Sequence, residues 1–449
     1  MKRKVLRVLL TAALAAILAA GCGNSTAETT ASEGQESTTS LSESTEPAET
    51  NSTEDEQIVL KWAHWDPVQT SAYIDAYEST HPNVKIEFVD FTADNWSTNI
   101  TTELSGSGTE IDIVSNKDTP SYATLVKKGA LMPLDDYIEN SDIDLSPVET
   151  LMNQVSVDGS TYVVPIDSSF WVVFYNKDIF DRAGVAYPTN DMTFDEFDEL
   201  ARSLTKTDFG AEVYGSHYHT WRSAVQMFGI TDGKHTIYDG DYSFFKPFYE
   251  MVLNQEDDGV CRKYADVKAE GLAYRAAFAQ GNVAMMPMGT WLMVDALTMY
   301  HGEWDTELIG NWGMVKYPHA EGVEPGSTIG GSQNVSITAE SDNKDAAWDF
   351  LQWLYGEEGA KVTISLGNFP ANITDEAVDM ISAQEGFPED EQSKDALYVS
   401  NLYIEAPYGE NVAEINSILD TYHTMIMQRE CTIDEGIQKM NEEVAKLSQ

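Results

Sequence analysis

The segment that decides the fold runs from Phe278 to Trp291 and reads FAQGNVAMMPMGTW. Apolar residues at helical spacing lead into it, and Gly281 stands where a helix commonly ends in a left-handed residue. The apolar run that follows predicts a short strand, and Gly289 allows a close approach of the backbone before the next helix. The segment therefore predicts a helix, a strand and a second helix joined by very short connections.

The order of residues in this segment, F-x-x-G-x-x-A-M-x-x-x-G-x-W, resembles the signature of extracellular solute-binding protein family 1. This family holds the maltose-binding-protein-like, sugar-binding lipoproteins of ABC importers. The resemblance implies an α/β, two-lobed periplasmic-binding-protein-like fold of the class II type with three interlobe crossings. It also implies that Trp291 stacks on a sugar ring, whereas on its own pattern a Trp at a helix start is equally a core residue.

Length and charge restrict the classes of function. The 449 residues exceed what one hydrophobic core supports and suit two lobes of about 150 to 200 residues each. The formal net charge is -47, and the sequence contains no basic block. Such a surface repels nucleic acid and anionic lipid headgroups. We therefore exclude nucleic-acid binding and expect a soluble body that meets neutral or cationic solutes.

The N-terminus has the pattern of a bacterial export signal. Basic residues precede an apolar run from Val8 to Ala20, which is too short for an ordinary membrane span. The sequence LAAGC that ends at Cys22 resembles a lipobox, although Ala19 stands where Leu is commonest. We expect residues 1–22 to be a lipoprotein signal peptide and Cys22 to carry the lipid, such as palmitate. Ordinary cleavage that leaves a free Cys22 is the alternative.

Residues 23–56 are expected to form a disordered, acidic tether. They contain nine carboxylates and no Lys or Arg, and the rest is mostly Ser, Thr, Ala and Gly. This composition buries too little apolar surface to offset the entropy lost on ordering. The folded body would then lie on the extracellular face of the membrane, held by its lipid anchor.

Three later segments resemble the crossings of the family between its lobes. They are Ile166–Lys177, Ile329–Ile337 and Leu366–Pro370, and helices are expected from Asp375 to the end. Two adjacent glycines in the second crossing permit the torsions that a hinge needs. The resemblance implies that residues 57–168 and 329–370 form lobe one, and that residues 169–328 and 371–449 form lobe two.

Lobe one offers ligand-binding candidates after two predicted strands. Trp65 and Asp66 follow the first strand pattern of the body, and Asn116 follows the strand pattern Ile111–Val114. In open α/β sheets, ligands collect beyond the carboxyl ends of strands. We therefore expect these three side chains at the ligand, while Trp62 is expected in the core.

The crossings and lobe two offer the remaining candidates. Ser169 and Trp171 share one side of an extended strand by period two, and Tyr175 shares that side but is expected in the core. The family resemblance implies an aromatic from lobe two, for which Tyr218 and Trp221 are the candidates. The expected ligand-binding residues are Trp65, Asp66, Asn116, Ser169, Trp171, Tyr218, Trp221, Trp291, Ser332 and Asn334.

Two pairs of residues are considered as other kinds of site. His217 and His219 have a His-x-His spacing but no third ligand, so we expect no metal and no cofactor. Cys261 and Cys431 either form a disulfide in an oxidising compartment or are separate small buried residues.

Local patterns predict several element ends. Ser146–Glu149 and Thr193–Glu196 each place a hydroxyl residue at an N-cap with Glu three positions later, which predicts two capping boxes. Asp158 and Gly159 predict a tight hairpin turn.

Together these features predict capture of a solute without turnover. Two lobes joined by three crossings close by hinge bending over a sugar and present the closed form to ABC permease subunits. The protein is expected to be a monomer and not an enzyme. A binding protein for a cationic solute such as a polyamine is the alternative, with Asp66, Asp112 and Asp167 as its carboxylates. A secreted glycoside hydrolase is the less favoured alternative, since no carboxylate pair has a recognisable hydrolase setting.

Overall fold

A computed structural model describes residues 57–91, 96–106, 108–205, 212–300 and 311–447. The expected signal peptide, the expected lipidation site Cys22 and the expected tether lie outside these residues. Within the described ranges, no helix combines the length and the apolar character that a membrane span requires.

The described strands are numbered in chain order. They are β1 (Ile58–His64), β2 (Val84–Asp90), β3 (Ile113–Asn116), β4 (Val164–Pro165), β5 (Asp167–Asn176), β6 (Tyr214–Ser216), β7 (Val283–Gly289), β8 (Trp312–Lys316), β9 (Ser327–Gly331), β10 (Asn334–Ile337), β11 (Phe369–Pro370) and β12 (Asn401–Ile404).

The helices are numbered in the same way. They are α1 (Pro67–Thr80), α2 (Trp96–Glu103), α3 (Thr119–Lys127), α4 (Asp135–Glu139), α5 (Glu149–Val155), α6 (Lys177–Ala183), α7 (Phe194–Thr205), α8 (Ser223–Gln226), α9 (Lys246–Asp257), α10 (Tyr264–Glu270), α11 (Tyr274–Ala279), α12 (Trp291–Tyr300), α13 (Lys344–Tyr355), α14 (Glu357–Ser365), α15 (Asp375–Ser382), α16 (Glu391–Asp395), α17 (Val412–Met427) and α18 (Ile433–Leu447). Short 3-10 turns occupy Ser146–Val148, Met227–Gly229 and Ser243–Phe245.

The first sheet has five strands in the order β2-β1-β3-β10-β4. β1 pairs in parallel with β2 and with β3, as the strand-helix-strand order predicts, and β10 pairs antiparallel with β3 and β4. Alternate residues of β1 enter different cores. Leu60 and Trp62 pack on one face, and Ala63 packs on the other. The sheet is therefore covered on both sides, and Trp62 is a core residue as predicted.

The second sheet has seven strands, with β5 at its centre. β5 pairs antiparallel with β7, β8, β9 and β11, while β6 joins β7 and β12 joins β9 in parallel. Most of its residues are buried in one large cluster, which includes Tyr175 at 1% exposure as predicted. The strand β12 was not predicted, because the C-terminal part was expected to be helical throughout.

The chain passes between the two sheets at the predicted crossings. β4 belongs to the first sheet and β5, one residue later, to the second. β9 and β10 repeat this passage in the opposite direction, and β11 pairs with β5 directly after α14. The cavity described below lies beside these passages.

The segment Phe278 to Trp291 folds as predicted. Helix α11 ends before Gly281, which has φ of 69°, and β7 follows. Helix α12 then begins at Trp291. A Cβ at Gly289 would overlap the indole ring of Trp291, so the absence of a side chain there is what lets this ring fold back over the strand end.

Local end signals were predicted with mixed success. The Thr193 amide donates to the Glu196 carboxylate at 2.8 Å, and the Glu196 amide donates to the Thr193 hydroxyl at 3.3 Å, which confirms that capping box. The box predicted for Ser146–Glu149 is wrong. There the Ser146 amide donates to the Asp144 carboxylate at 3.0 Å, and a 3-10 turn precedes α5. The aspartate two residues earlier takes the place of the predicted cap.

Candidate functional site

A cavity of about 380 Å³ lies between the two sheets, next to the crossings. Residues at the N-terminus of α3 and on α5 line one side of the cavity. Residues after β6, at α12 and at α17 line the other side. Six of the expected ligand-binding residues line it. They are Ser169, Trp171, Trp221, Trp291, Ser332 and Asn334.

Three tryptophans form one wall of the cavity. The ring centroids of Trp171 and Trp291 are 5.8 Å apart with the planes at 89°, and those of Trp221 and Trp291 are 6.2 Å apart at 62°. Trp171 is 2% exposed, whereas Trp221 is 39% exposed. Edge-to-face contacts of this kind hold each ring against its neighbour.

Polar groups of the crossings form a second wall. The Ser332 hydroxyl donates to Asn334 Oδ1 at 2.6 Å, and Asn334 Nδ2 donates back to the Ser332 carbonyl at 3.2 Å. Ser169 lies on β5 opposite Gly331 of β9. A side chain at Gly331 would meet nothing within 4 Å, so this wall is open toward the cavity.

Trp65 and Asp66 do not line the cavity. The ring of Trp65 stacks on His64, with centroids 4.5 Å apart, and packs edge-on against Trp96. The Asp66 carboxylate caps α1 by accepting from the amides of Val68 and Gln69 at 2.9 and 3.0 Å. The position at the end of a strand was predicted correctly, but Trp65 packs against His64 and Trp96, and Asp66 caps its own helix.

Asn116 and Tyr218 also lie outside the cavity lining. Asn116 is 2% exposed, and its Nδ2 donates to the Ser336 hydroxyl at 2.8 Å. Tyr218 is 7% exposed and donates to Gln255 Oε1 at 3.0 Å. Both residues therefore join β-strand or core hydrogen bonds in this structure.

Several polar and charged residues of the cavity were missed by the sequence reasoning. Arg222 and Glu405 face each other across 2.8 Å, and Asn416 and Asp420 lie one turn apart on α17. The position of Arg222 next to Trp221 was the only sequence signal available for it. The other three come from segments with no recognisable motif, so only the fold brings them together.

The loop before α3 also contributes charged residues to the cavity. Lys117 and Asp118 line the cavity, and the Asp118 carboxylate caps α3 by accepting from the Ser121 amide at 2.8 Å. The cavity lining thus contains the carboxylates of Asp118, Glu405 and Asp420 together with the guanidinium of Arg222, of which Glu405 pairs with Arg222 directly.

The carboxylates considered for a cationic solute have protein partners. Asp112 is 4% exposed and accepts from the Lys61 amide at 2.9 Å and from the Ser341 hydroxyl at 2.6 Å. Asp167 accepts from the Gln333 amide at 2.7 Å, and burial raises the pKa of Asp167 to about 6. Neither aspartate lines the cavity.

The histidine and cysteine pairs form no site in the described part of the chain. No group of three or more His, Cys, Asp or Glu residues stands together there as a metal site would require. Burial lowers the pKa of His217 to about 3, so its ring is neutral. Cys261 and Cys431 are free thiols, the first buried and the second half-buried.

Comparison with known proteins agrees with this geometry. A model of the bacterial extracellular solute-binding proteins matches residues 66–361. A sugar transporter from Rhizobium etli, solved in an open conformation, is 41% identical with a TM-score of 0.78 over 86% of this chain and 99% of its own. The lactose-binding protein of Rhizobium radiobacter is 24% identical over 66% of this chain and 69% of its own length.

A more distant structure shares the fold. The substrate-binding protein of a Listeria monocytogenes ABC system, solved with cycloalternan, is 20% identical with a TM-score of 0.70 over 87% of this chain and 98% of its own. The family match spans more than half of the chain, and the two-lobed α/β architecture is common to these structures. The chain therefore belongs to the family of bacterial extracellular solute-binding proteins.

Proposed function

We propose that the protein captures a carbohydrate in the cavity between its lobes and delivers it to the permease of an ABC importer. The observation that carries this proposal is the wall of Trp171, Trp221 and Trp291 beside polar groups in one cavity. The CH face of a sugar ring buries apolar surface on an indole, and its hydroxyls bond to carboxylates and amides. The ligands of the relatives support the same class, since one is named for lactose and another was solved with cycloalternan.

Six of the ten expected residues remain in the proposed site, namely those that line the cavity. The proposal adds Arg222, Glu405, Asn416 and Asp420, which supply the hydrogen bonds that the tryptophans lack. The residues Trp65, Asp66, Asn116 and Tyr218 are proposed to act through packing, capping and core hydrogen bonds.

The two lobes are proposed to comprise residues 57–168 with 329–370 and residues 169–328 with 371–449. The passages between the sheets at β4–β5, β9–β10 and α14–β11 would bend as the lobes close over the ligand. We further propose a monomer on the extracellular face of the membrane, anchored by a lipid at Cys22, that performs no catalysis.

A cationic solute such as a polyamine is the second candidate. The carboxylates of Asp118, Glu405 and Asp420 at the cavity favour it. Arg222 opposes it, because a buried guanidinium in the same wall repels an amine. Carbohydrate is therefore the preferred class.

Intrinsic tryptophan fluorescence tests the proposal directly. We expect a saturable change when the purified body is titrated with at least one member of a panel of mono- and oligosaccharides, and none with spermidine or putrescine. If the fluorescence changes with an amine and with none of the sugars, the second candidate replaces the proposal.

A variant pair locates the site. Trp221→Ala removes an exposed ring from the cavity wall and should weaken sugar binding by about tenfold, since about 1–2 kcal/mol of ring burial is lost. Trp353→Phe is the control, because Trp353 packs on Phe350 and Tyr77 and does not line the cavity. Equal affinities for the two variants would place the ligand elsewhere.

A further inference from the structure

Arg222 is held at the cavity wall by an unusually complete set of partners. It is 4% exposed. Its Nε donates to Asn416 Oδ1 at 3.1 Å, its Nη2 bonds to the same oxygen and pairs with Glu405 at 2.8 Å, and its Nη1 donates to Gln226 Oε1 at 2.9 Å. A guanidinium has five N–H donors, so one Nη1 donor is left over within the described part of the chain.

A chain of hydrogen bonds continues behind Arg222 into the core. Gln226 Nε2 donates to the Tyr249 hydroxyl at 2.9 Å, and that hydroxyl lies 3.0 Å from His423 Nδ1. All three side chains are 0% exposed. We call Arg222, Gln226, Tyr249 and His423 the Arg222 relay.

The relay has only one direction. The Tyr249 hydroxyl accepts from Gln226, and we assign its own proton to His423 Nδ1, which places the proton of the neutral imidazole on Nε2. His423 Nε2 is buried and has no hydrogen-bond partner among the described residues. Burial lowers the pKa of His423 to about 3 and raises the pKa of Tyr249, so neither group changes its charge near neutrality. Reversal of the Gln226 amide would set its NH₂ group against the Arg222 guanidinium, donor against donor, which is costly. The plane of the guanidinium is therefore fixed from behind.

Groups with spare hydrogen-bonding capacity surround this guanidinium. Asn416 uses only Oδ1 in the described structure, which leaves its amide donors for a ligand. Asp420 lies one turn further along α17, is exposed, and makes no hydrogen bond or ion pair with any described residue. Donors of Arg222 and Asn416 thus stand beside the acceptor of Asp420, with Trp221 and Trp291 along the same cavity.

We propose that Arg222, Asn416 and Asp420 bind two adjacent hydroxyls of the ligand, and that Gln226, Tyr249 and His423 are positioning residues that fix Arg222 for this task. Each ligand hydroxyl accepts from Arg222 or Asn416 and donates toward Asp420 or Glu405. The inference rests on the proposed function, because it assumes a polyhydroxylated ligand. These hydrogen bonds would make the choice of ligand depend on two adjacent hydroxyls as well as on ring stacking. Stacking alone would tolerate the loss of a hydroxyl.

Deoxy analogues of the best sugar in the panel test the diol. In the wild-type protein, removal of either paired hydroxyl should raise Kd by about tenfold, as expected when buried polar groups lose a partner. Asp420→Asn and Arg222→Lys should each raise Kd for the full sugar by about tenfold. In each of these variants, removal of a paired hydroxyl from the sugar should raise Kd by less than about threefold, because the substituted side chain and that hydroxyl no longer bond to each other. Calorimetric titration measures all of these constants.

Tyr249→Phe tests the positioning residues, and Tyr264→Phe is its matched control. Tyr264 also packs on the His423 ring, but its hydroxyl lies 3.3 Å from Thr424, outside the relay. Tyr249→Phe should raise Kd by about threefold to tenfold and weaken the deoxy discrimination. It should also shift the ring-nitrogen NMR signals of His423, whereas Tyr264→Phe should preserve both the affinity and the ranking of the analogues.

The outcomes separate two failures. A wild-type protein that binds no sugar would defeat the proposed function itself. The wild-type protein could instead bind a sugar while the Asp420→Asn and Arg222→Lys variants show the same ratios of Kd among the deoxy analogues. That result would overturn this inference alone. Equal effects of Tyr249→Phe and Tyr264→Phe would remove the positioning role.

Discussion

Gly330 and Gly331 are neighbours in sequence but have different physical roles. A Cβ at Gly330 would overlap the Ser169 carbonyl oxygen of β5 and approach Leu402 Cδ1 to 2.6 Å. A Cβ at Gly331 would meet nothing within 4 Å. Neither glycine is among the residues with positive φ. In this structure, glycine is required only at position 330. The reason is the close contact of β9 with β5 and not an unusual backbone torsion.

The two glycines give a prediction with an internal control. Gly330→Ala should lower the free energy of unfolding by about 2 kcal/mol or more, because the overlapping atom belongs to the backbone and cannot move away as a side chain would. Gly331→Ala should change it by less than about 1 kcal/mol. Urea denaturation measures both. A large loss for Gly331→Ala would show that this position needs glycine torsions in some state of the protein.

At the scale of single residues, the sequence predicts those side chains whose neighbours are close in the chain. Trp291 was located by the resemblance of its segment to the family signature, and Trp171 by period two along a segment that resembles a family crossing. Arg222, Glu405 and Asp420 were not located, because their common cavity depends on segments almost 200 positions apart. Asp66 was assigned to the ligand from its place after a strand, although the nearest unpaired donors are the amides of its own helix.

At the scale of elements, the start of α1 shows how a strand end is converted into a helix. His64 is 0% exposed, and its Nδ1 accepts from the amides of Trp65 and Asp66, both at 2.8 Å. The Asp66 carboxylate then accepts from the next two free amides of the helix. Two side chains thus satisfy four successive backbone donors, which leaves Asp66 committed to the helix.

The cap of α1 can be separated from ligand binding by two substitutions. Asp66→Ala removes the acceptor and should lower the free energy of unfolding by about 1 kcal/mol, whereas Asp66→Asn keeps an acceptor and should cost only a few tenths. Neither change should alter the Kd for the sugar, since Asp66 does not line the cavity. Thermal unfolding and calorimetry give the two readouts. A loss of affinity for the sugar in Asp66→Asn would indicate that Asp66 contacts the ligand.

Elements marked by local chemistry were predicted better than those that depend on partners. The helix, strand and helix around Gly281 and the capping box at Thr193 follow from short-range signals, and both are present. Strand β12 was missed because four residues of half-buried character become a strand only when β9 lies beside them. The capping box at Ser146 was predicted wrongly for a local reason, because the competing acceptor at Asp144 was overlooked.

At the scale of the whole molecule, three histidines are buried as neutral rings in separate places. His64 lies at the end of β1, His217 follows β6, and His423 lies within α17. Each is at most 1% exposed. Burial lowers the pKa of all three to about 3, with Arg222 and Lys268 adding to the effect at His423. The unfolded chain binds protons at these rings near pH 6.5, whereas the folded protein does not.

This difference predicts loss of stability in mild acid. The stabilising contribution of each neutral ring is complete above about pH 6.5 and declines as the pH falls toward 3, by about 1 kcal/mol per pH unit for each histidine. Asp167 acts in the opposite sense between about pH 6 and 4, because burial raises its pKa and the folded protein takes up that proton first. Burial also lowers the pKa of His219 to about 4 and raises the pKa of Glu256 and of Asp295. With four rings against three carboxyls, the free energy of unfolding should fall between pH 6 and pH 4.

Chemical denaturation of the wild-type protein and of His423→Gln across pH 4 to 8 measures the effect. The glutamine side chain retains an acceptor for Tyr249 but takes up no proton. Above pH 7.5 the two proteins should show the same dependence on pH, whatever their absolute stabilities. Below pH 6 the slope of the variant should be smaller by about 1 kcal/mol per pH unit, which corresponds to one proton. Identical slopes below pH 6 would mean that His423 already carries its proton in the folded protein, and the direction assigned to the Arg222 relay would then be wrong.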